Sequence, residues 1–171
     1  MTKEIPENRS EKKSLANVAN TISSLDLPNI FDFDSLVKNI SSKIKQEIEF
    51  IPCTMIADTT GMVVSGEKIH IFFEANVSPI HQVQIKLHEL GHIILGHIAD
   101  VNKPDKDETL ILQSFFTSVE DYKKQQVVAM NRRDYDSASE KEAEFFATEL
   151  IGRVRLDTYA VDDPVFSVCF K

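Results

Sequence analysis

"KLHELGHIILGH", Lys86 to His97, sets three histidines and a glutamate into twelve residues of an otherwise apolar segment. Four residues along an α-helix turn the chain by about 400° and raise it by about 6 Å. His88 and His92 therefore project from one face, a single turn apart, where two imidazoles can share one tetrahedral zinc ion. Glu89 lies at the flank of that face and can reach a bound water without being a ligand. This is the HExxH arrangement, with the glutamate as general base. Val83, Leu87, Leu90 and Ile94 form an apolar stripe on the other side, which directs the histidine face toward something specific. Gly91 weakens the helix by roughly 1 kcal/mol relative to alanine. Close approach of another backbone, or of substrate, would offset that loss. The competing reading is a metal-free helix whose histidines cap, pair or face solvent.

The remaining histidines carry less chemistry. On a continuous helix His97 points about 180° away from His88, near the C-terminus, where it complements the helix dipole. His81 shares the metal face but lies about 10 Å from His88, too far to join the same ion. It reads as a solvated first-turn residue or a substrate contact. His70 alternates with Ile69 and Ile71 and is expected to face away from the buried side of a strand.

Around this segment the pattern is mixed. Residues 1 to 13 are polar and read as a flexible tail, followed by a single domain over 14–171. Leu15, Val18, Ile22 and Leu25 recur at helical spacing. A second helix is predicted from Asp34, as N-cap, through Leu36, Val37, Ile40, Ile44 and Ile48. "EFIPCTMIAD" and "GMVVSGEKIHIFFEAN" have strand chemistry, with "SGEK" as a hairpin turn, and predict a sheet of about three strands. Ser78-Pro79 opens the histidine helix, expected to run to about Ile98. Residues 101–136 are expected to be a helical insertion, with Leu112, Phe115, Phe116, Val119, Tyr122, Val127 and Met130 in one long helix. "ASEKEAEFFATELIG" is a last strong helix with Phe146 and Leu150 inward, and "VFSVCF" a possible short strand.

Catalytic zinc takes three protein ligands. No histidine follows His97, and Cys53 and Cys169 are remote from ligand-like spacing, so the third donor is expected to be a carboxylate of "SEKEAEFFA". Glu140 and Glu144 lie four apart, with Ala143 and Ala147 as a small-residue stripe suited to tight packing against the zinc helix. In this scheme Glu140 binds zinc, and Glu144 orients a zinc histidine through its second ring nitrogen. Ser137 to Glu140 is also a capping box. Glu142 and Glu144 are the rival third ligands.

"HELGHIILGH" followed by "EKEAEFFATELI" resembles the ImmA/IrrE-type metallopeptidases, with their HELGHxxLGH motif and ExEANxFAxxLL glutamate helix. The likeness covers residues 50–152. It implies a compact gluzincin-like α+β domain, its small sheet packed on the two motif helices, with Zn²⁺ held by His88, His92 and Glu140 and with Glu89 as base. It also implies a bacterial or mobile-element setting in which a helix-turn-helix repressor encoded nearby is cut. Three departures stand out. The two motifs are separated by 47 residues between His92 and Glu140, which places an extra helix near or over the cleft. Position 144 is Glu where the family commonly has Asn. "GRVRLDTYAV" replaces the family's Met-Pro turn at the C-terminal wall of the site.

The expected activity is therefore zinc-dependent, water-promoted peptide hydrolysis. Tyr135, Tyr122, His70 and His81 are candidate oxyanion donors, and "KIHIFF" a candidate edge for an extended peptide. The alternative is a zinc-bearing regulatory module that binds a transcription regulator without cutting it. A net charge of −8 argues against direct binding to a nucleic-acid backbone and suits a basic protein partner. There is no membrane-length apolar run and no signal-peptide core, so a cytoplasmic location is expected.

Overall fold

The structure is a computed structural model that describes residues 8–55, 59–65, 67–97, 128–130 and 137–156. It is α+β. In chain order the elements are α1 (Asn8–Ser23), α2 (Phe33–Ile44), β1 (Ile48–Cys53), β2 (Gly61–Ser65), β3 (Ile69–Glu74), α3 (Pro79–Ile94), β4 (Val128–Met130) and α4 (Ser137–Ile151). Helix α1 starts earlier than its apolar period requires, because the Glu and Lys residues before Ser14 are good helix formers. Residues 8–13, expected in the tail, are thus helical; residues 1–7 lie outside the described residues.

Helix α2 stops at Ile44. Lys45 adopts φ 58°, and the turn closes with the amides of Lys45 and Gln46 both directed at Ser41 O. That reversal frees Ile48 for β1 instead of a last helical turn.

The sheet has the order β1-β3-β2-β4. The predicted hairpin is present: β2 and β3 are antiparallel, with Ser65 opposite Ile69. β1 runs parallel to β3 on its other side. β3, the "KIHIFF" strand, is therefore central, with its amides and carbonyls engaged on both sides, and offers no edge to a peptide. A fourth strand comes from the segment expected to be helical: Val128–Met130 pairs antiparallel with Val63–Ser65. Ladder bonds to the open edge of β2 outweigh the weak helical period there. The rest of 101–136, with Tyr122 and Tyr135, lies outside the described residues, as does "VFSVCF".

Alternation splits the sheet's side chains. Ile48, Val63, Ile69 and Ile71 face the helices and join Val83, Leu87, Leu90, Phe146 and Leu150 in the main core. Met62, Val64 and Phe72 form a second buried cluster on the opposite face with Met55. His70 shares this second face but is only 5% exposed, beside Glu49 at 3.4 Å, because both faces of the central strand are covered. It is not the solvent-facing residue that alternation alone predicts. Burial pushes the Cys53 thiol above its ordinary pKa, so it is no reactive thiolate.

Two tethers hold the periphery. Arg153 donates to the carbonyls of Leu27, Pro28 and Asn29 and lies over the Phe31 ring, while Phe31 and Val154 form a parallel bridge. The described part of "GRVRLDTYAV" thus fastens the end of α4 to the α1–α2 loop. Glu74 accepts from the amides of Asn76 (2.7 Å) and Met55 (2.8 Å), tying the exit of β1 to that of β3. These bonds, the Asn76 amide first, lower the Glu74 pKa below its ordinary value of 4.5.

A carboxylate depressed in the folded state contributes stability above its unfolded pKa and loses it as pH falls through the folded value. Glu74→Gln should therefore be less stable than wild type at neutral pH, with the gap closing below about pH 4.5. Urea denaturation at several pH values measures this, and a pH-independent gap would contradict it.

Gly91 and Ala143 set the spacing of α3 and α4. A Cβ built on Gly91 would stand 3.1 Å from Ala143 Cα, 3.3 Å from Ala143 O and 3.2 Å from Phe146 Cδ1. Of the two compensations expected for this glycine, the structure shows the approach of another backbone. Gly91→Ala should gain about 1 kcal/mol of helix propensity and lose about 1–3 kcal/mol to overpacking. A net loss of roughly 1 kcal/mol is expected in denaturant unfolding; a raised midpoint would show that α4 yields freely.

Candidate metal centre

Pro79 at the first position of α3, after Ser78, begins the histidine helix as its sequence signals predict, although Ser78 makes no side-chain cap bond. The apolar stripe seats it: Val83, Leu87 and Leu90 are fully buried. Lys86 lies on the sheet side among Phe33, Phe50 and Phe73, with Nζ 4.0 Å from the Phe73 centroid. Burial lowers its pKa and nearby Asp34 pulls it back up. With the helix held on these sides, the histidine face is turned toward α4.

His88 Nε2 and His92 Nε2 are 3.0 Å apart. The Glu140 carboxylate straddles the pair, Oε2 lying 3.5 Å from His88 Nε2 and Oε1 3.5 Å from His92 Nε2. A tetrahedral ion with bonds of about 2.0–2.1 Å holds neighbouring donors about 3.3 Å apart, so the spacing fits one. His88, His92 and Glu140 could hold a metal ion, their donor atoms all lying within 4.8 Å of one another. Glu140 thus turns its carboxylate toward the histidines.

Glu140, Glu142 and Glu144 of α4 have three different surroundings. Glu144 Oε2 lies 3.2 Å from His88 Nδ1, and its other oxygen accepts from Gln84 at 3.4 Å. Glu142, about 200° round the helix from Glu140, meets His97 and Ser14 instead. Only Glu140 stands at the paired Nε2 atoms, so neither rival carboxylate is placed as a third donor.

The donor chemistry points the same way. A carboxylate accepts only, so His88 Nδ1 carries the proton it donates to Glu144 and its Nε2 bears a lone pair. That lone pair faces the Glu140 carboxylate beside the wholly buried His92, a setting that would favour a cation between them.

Glu89 is 4% exposed and not one of the three convergent donors. It lines an open cleft together with Thr60, His81, Gln84, Ile85, His88 and Glu144. Gly61, at the start of β2, makes room for it: a Cβ there would run into Glu89 Oε1 and stand 2.9 Å from Ile85 Cγ2. The sequence shows Gly61 only as a strand-opening glycine, because the carboxylate that needs the space is 28 residues away in the chain. His81 is exposed at the cleft rim, whereas His70 does not line it.

His97 departs most from expectation. The helix ends at Ile94 instead of continuing to Ile98. Gly96, at φ 74°, closes a Schellman turn, with His97 N bonded to His92 O and Gly96 N to Ile93 O. The chain reverses, and the His97 ring returns to His92, Nδ1 to Nδ1 at 3.0 Å. The signal was present in "LGH": glycine after an apolar run is a helix stop.

Comparison with protein-family models, with curated proteins and with solved structures finds no match to this chain. Among the described residues no helix is long and apolar enough to cross a membrane.

Titration of the metal-free protein with Zn²⁺ should show one site per chain. Glu140→Ala should weaken it by more than about a hundredfold, beyond the usual effect of losing an outer partner. Equal affinity in the two proteins would remove Glu140 from the site.

Proposed function

We propose that the chain is a zinc-dependent endopeptidase of the ImmA/IrrE type, acting by water-promoted hydrolysis of a peptide bond. One observation carries this reading: three donors converge on a point beside an open cleft, while the one buried carboxylate of the HExxH motif that is not a donor lines that cleft. A purely structural site has no need of a buried carboxylate, outside the donor set, beside an opening.

His88, His92 and Glu140 hold the ion. Zinc, when bound, supplies a Lewis acid that polarises the scissile carbonyl and acidifies water. Glu89 accepts the proton of the attacking water and delivers it to the leaving amine; its position in the Gly61 niche fixes its carboxylate against the cleft. Glu144 holds His88 in the tautomer that presents Nε2. His81, at the rim, is the described candidate for stabilising the oxyanion or gripping substrate.

The substrate follows from the family likeness of "HELGHIILGH" and "EKEAEFFATELI": a helix-turn-helix repressor encoded nearby. A net charge of −8 supports this, since a DNA-binding protein presents a basic surface to an acidic partner.

Glu89→Gln should bind Zn²⁺ as wild type does and cut the repressor about 10²–10⁴-fold more slowly. Electrophoresis of the repressor incubated with each protein reads the outcome. Cleavage by Glu89→Gln at the wild-type rate would falsify the role of the base. A repressor that is bound but left whole by both zinc-loaded proteins would identify a regulatory module instead of a protease.

A further inference from the structure

His97 and Glu142 are conspicuous because peptide hydrolysis, as assigned above, uses neither. Both are largely buried, their side chains 8% and 18% exposed. They form a file with Ser14 of α1 that ends on a metal donor. Ser14 Oγ donates to Glu142 Oε1. Glu142 Oε2 lies 2.9 Å from His97 Nε2. His97 Nδ1 lies 3.0 Å from His92 Nδ1, the rings meeting edge to face at 69°.

The protons along this file can be counted from the outer end. Glu142 as a carboxylate only accepts, so His97 carries its proton on Nε2. In the neutral ring Nδ1 then bears a lone pair and accepts, and His92 carries its proton on Nδ1. His92 Nε2 is thereby left with its lone pair directed at His88 Nε2 and Glu140, as a metal donor requires.

We propose that His97 and Glu142 are positioning residues that fix the tautomer and ring orientation of His92 from outside the metal site, and that Ser14 couples this file to α1. The file contrasts with the arrangement at His88, where one carboxylate, Glu144, acts directly and is half-exposed. At His92 the outer carboxylate is one ring further away, and the intervening imidazole transmits the polarity of the bond. The file exists only because Gly96 reverses the chain. Its outer end is held because α1 packs on α4. Its last link rests on the zinc reading above.

Long-range ¹H–¹⁵N correlation on the full chain, metal-free, reads the tautomers without any variant. The expected result is His97 protonated at Nε2 with a bare Nδ1, and His92 the reverse. A proton on His97 Nδ1 overturns the relay. Zn²⁺ affinity, measured by competition with a chromophoric chelator, supplies the second readout. His97→Phe retains a ring but lacks the acceptor, and should bind about 10–100-fold more weakly. Glu142→Gln keeps an acceptor oxygen and should remain close to wild type. Zinc uptake by wild type with unchanged affinity in His97→Phe overturns the relay alone. A wild type that takes up no Zn²⁺ overturns the zinc reading and this last link together.

Discussion

The contact between α3 and α4 at Gly91 and Ala143 sets the geometry on which the site depends. Helices approach to 8–10 Å according to the side chains between them. Here one partner contributes no side chain and the other a single methyl, and a Cβ on Gly91 would already be within 3.1 Å of the opposing backbone. A glutamate side chain has a fixed reach, so this closeness lets Glu140 meet His88 and His92 and Glu144 meet His88 Nδ1. A bulkier layer would leave the same residues on the same helices with no common point.

Charge imposes a second constraint on the same interface. Nε2 atoms 3.0 Å apart in a buried site, with a carboxylate beside them, form a concentration of electron pairs that neighbouring groups sharpen rather than relieve. Glu144 accepts a hydrogen bond from His88 Nδ1–H, which directs the His88 Nε2 lone pair inward. A cation bound there would relieve that repulsion, and its binding would then be linked to folding. The core of Phe146, Leu150, Leu87 and Leu90 can bear that strain, since each such side chain contributes roughly 1.5–3 kcal/mol on burial.

Much of this was legible before the fold was known, and the legible parts share a cause. The HExxH face, the apolar stripe of α3, the hairpin at "SGEK" and the inward Phe146 and Leu150 all follow from local periodicity. Helix and strand repeats depend only on neighbours in the chain. The readings that failed concern places where a local pattern meets a distant surface. His70 alternates correctly, yet the second face of the sheet is buried too. "KIHIFF" was read correctly as a strand, but not as a central one. Val128–Met130 took a partner in β2 that no local pattern announces.

The sequence by itself determined which residues could perform the chemistry: His88 and His92 one turn apart, Glu89 at their flank, and Glu140, Glu142 and Glu144 as candidates on a second helix. It could not divide the work among Glu140, Glu142 and Glu144, because spacing along one helix says nothing about where the other helix lies. Tertiary structure made that division, aiming one carboxylate at the paired nitrogens, one at His88 Nδ1 and one at His97. It also decided that His97, returned to His92 by the local turn at Gly96, meets Glu142, and that position 61 leaves room for Glu89. Both are matters of distance between segments remote in the chain, and only packing fixes those distances.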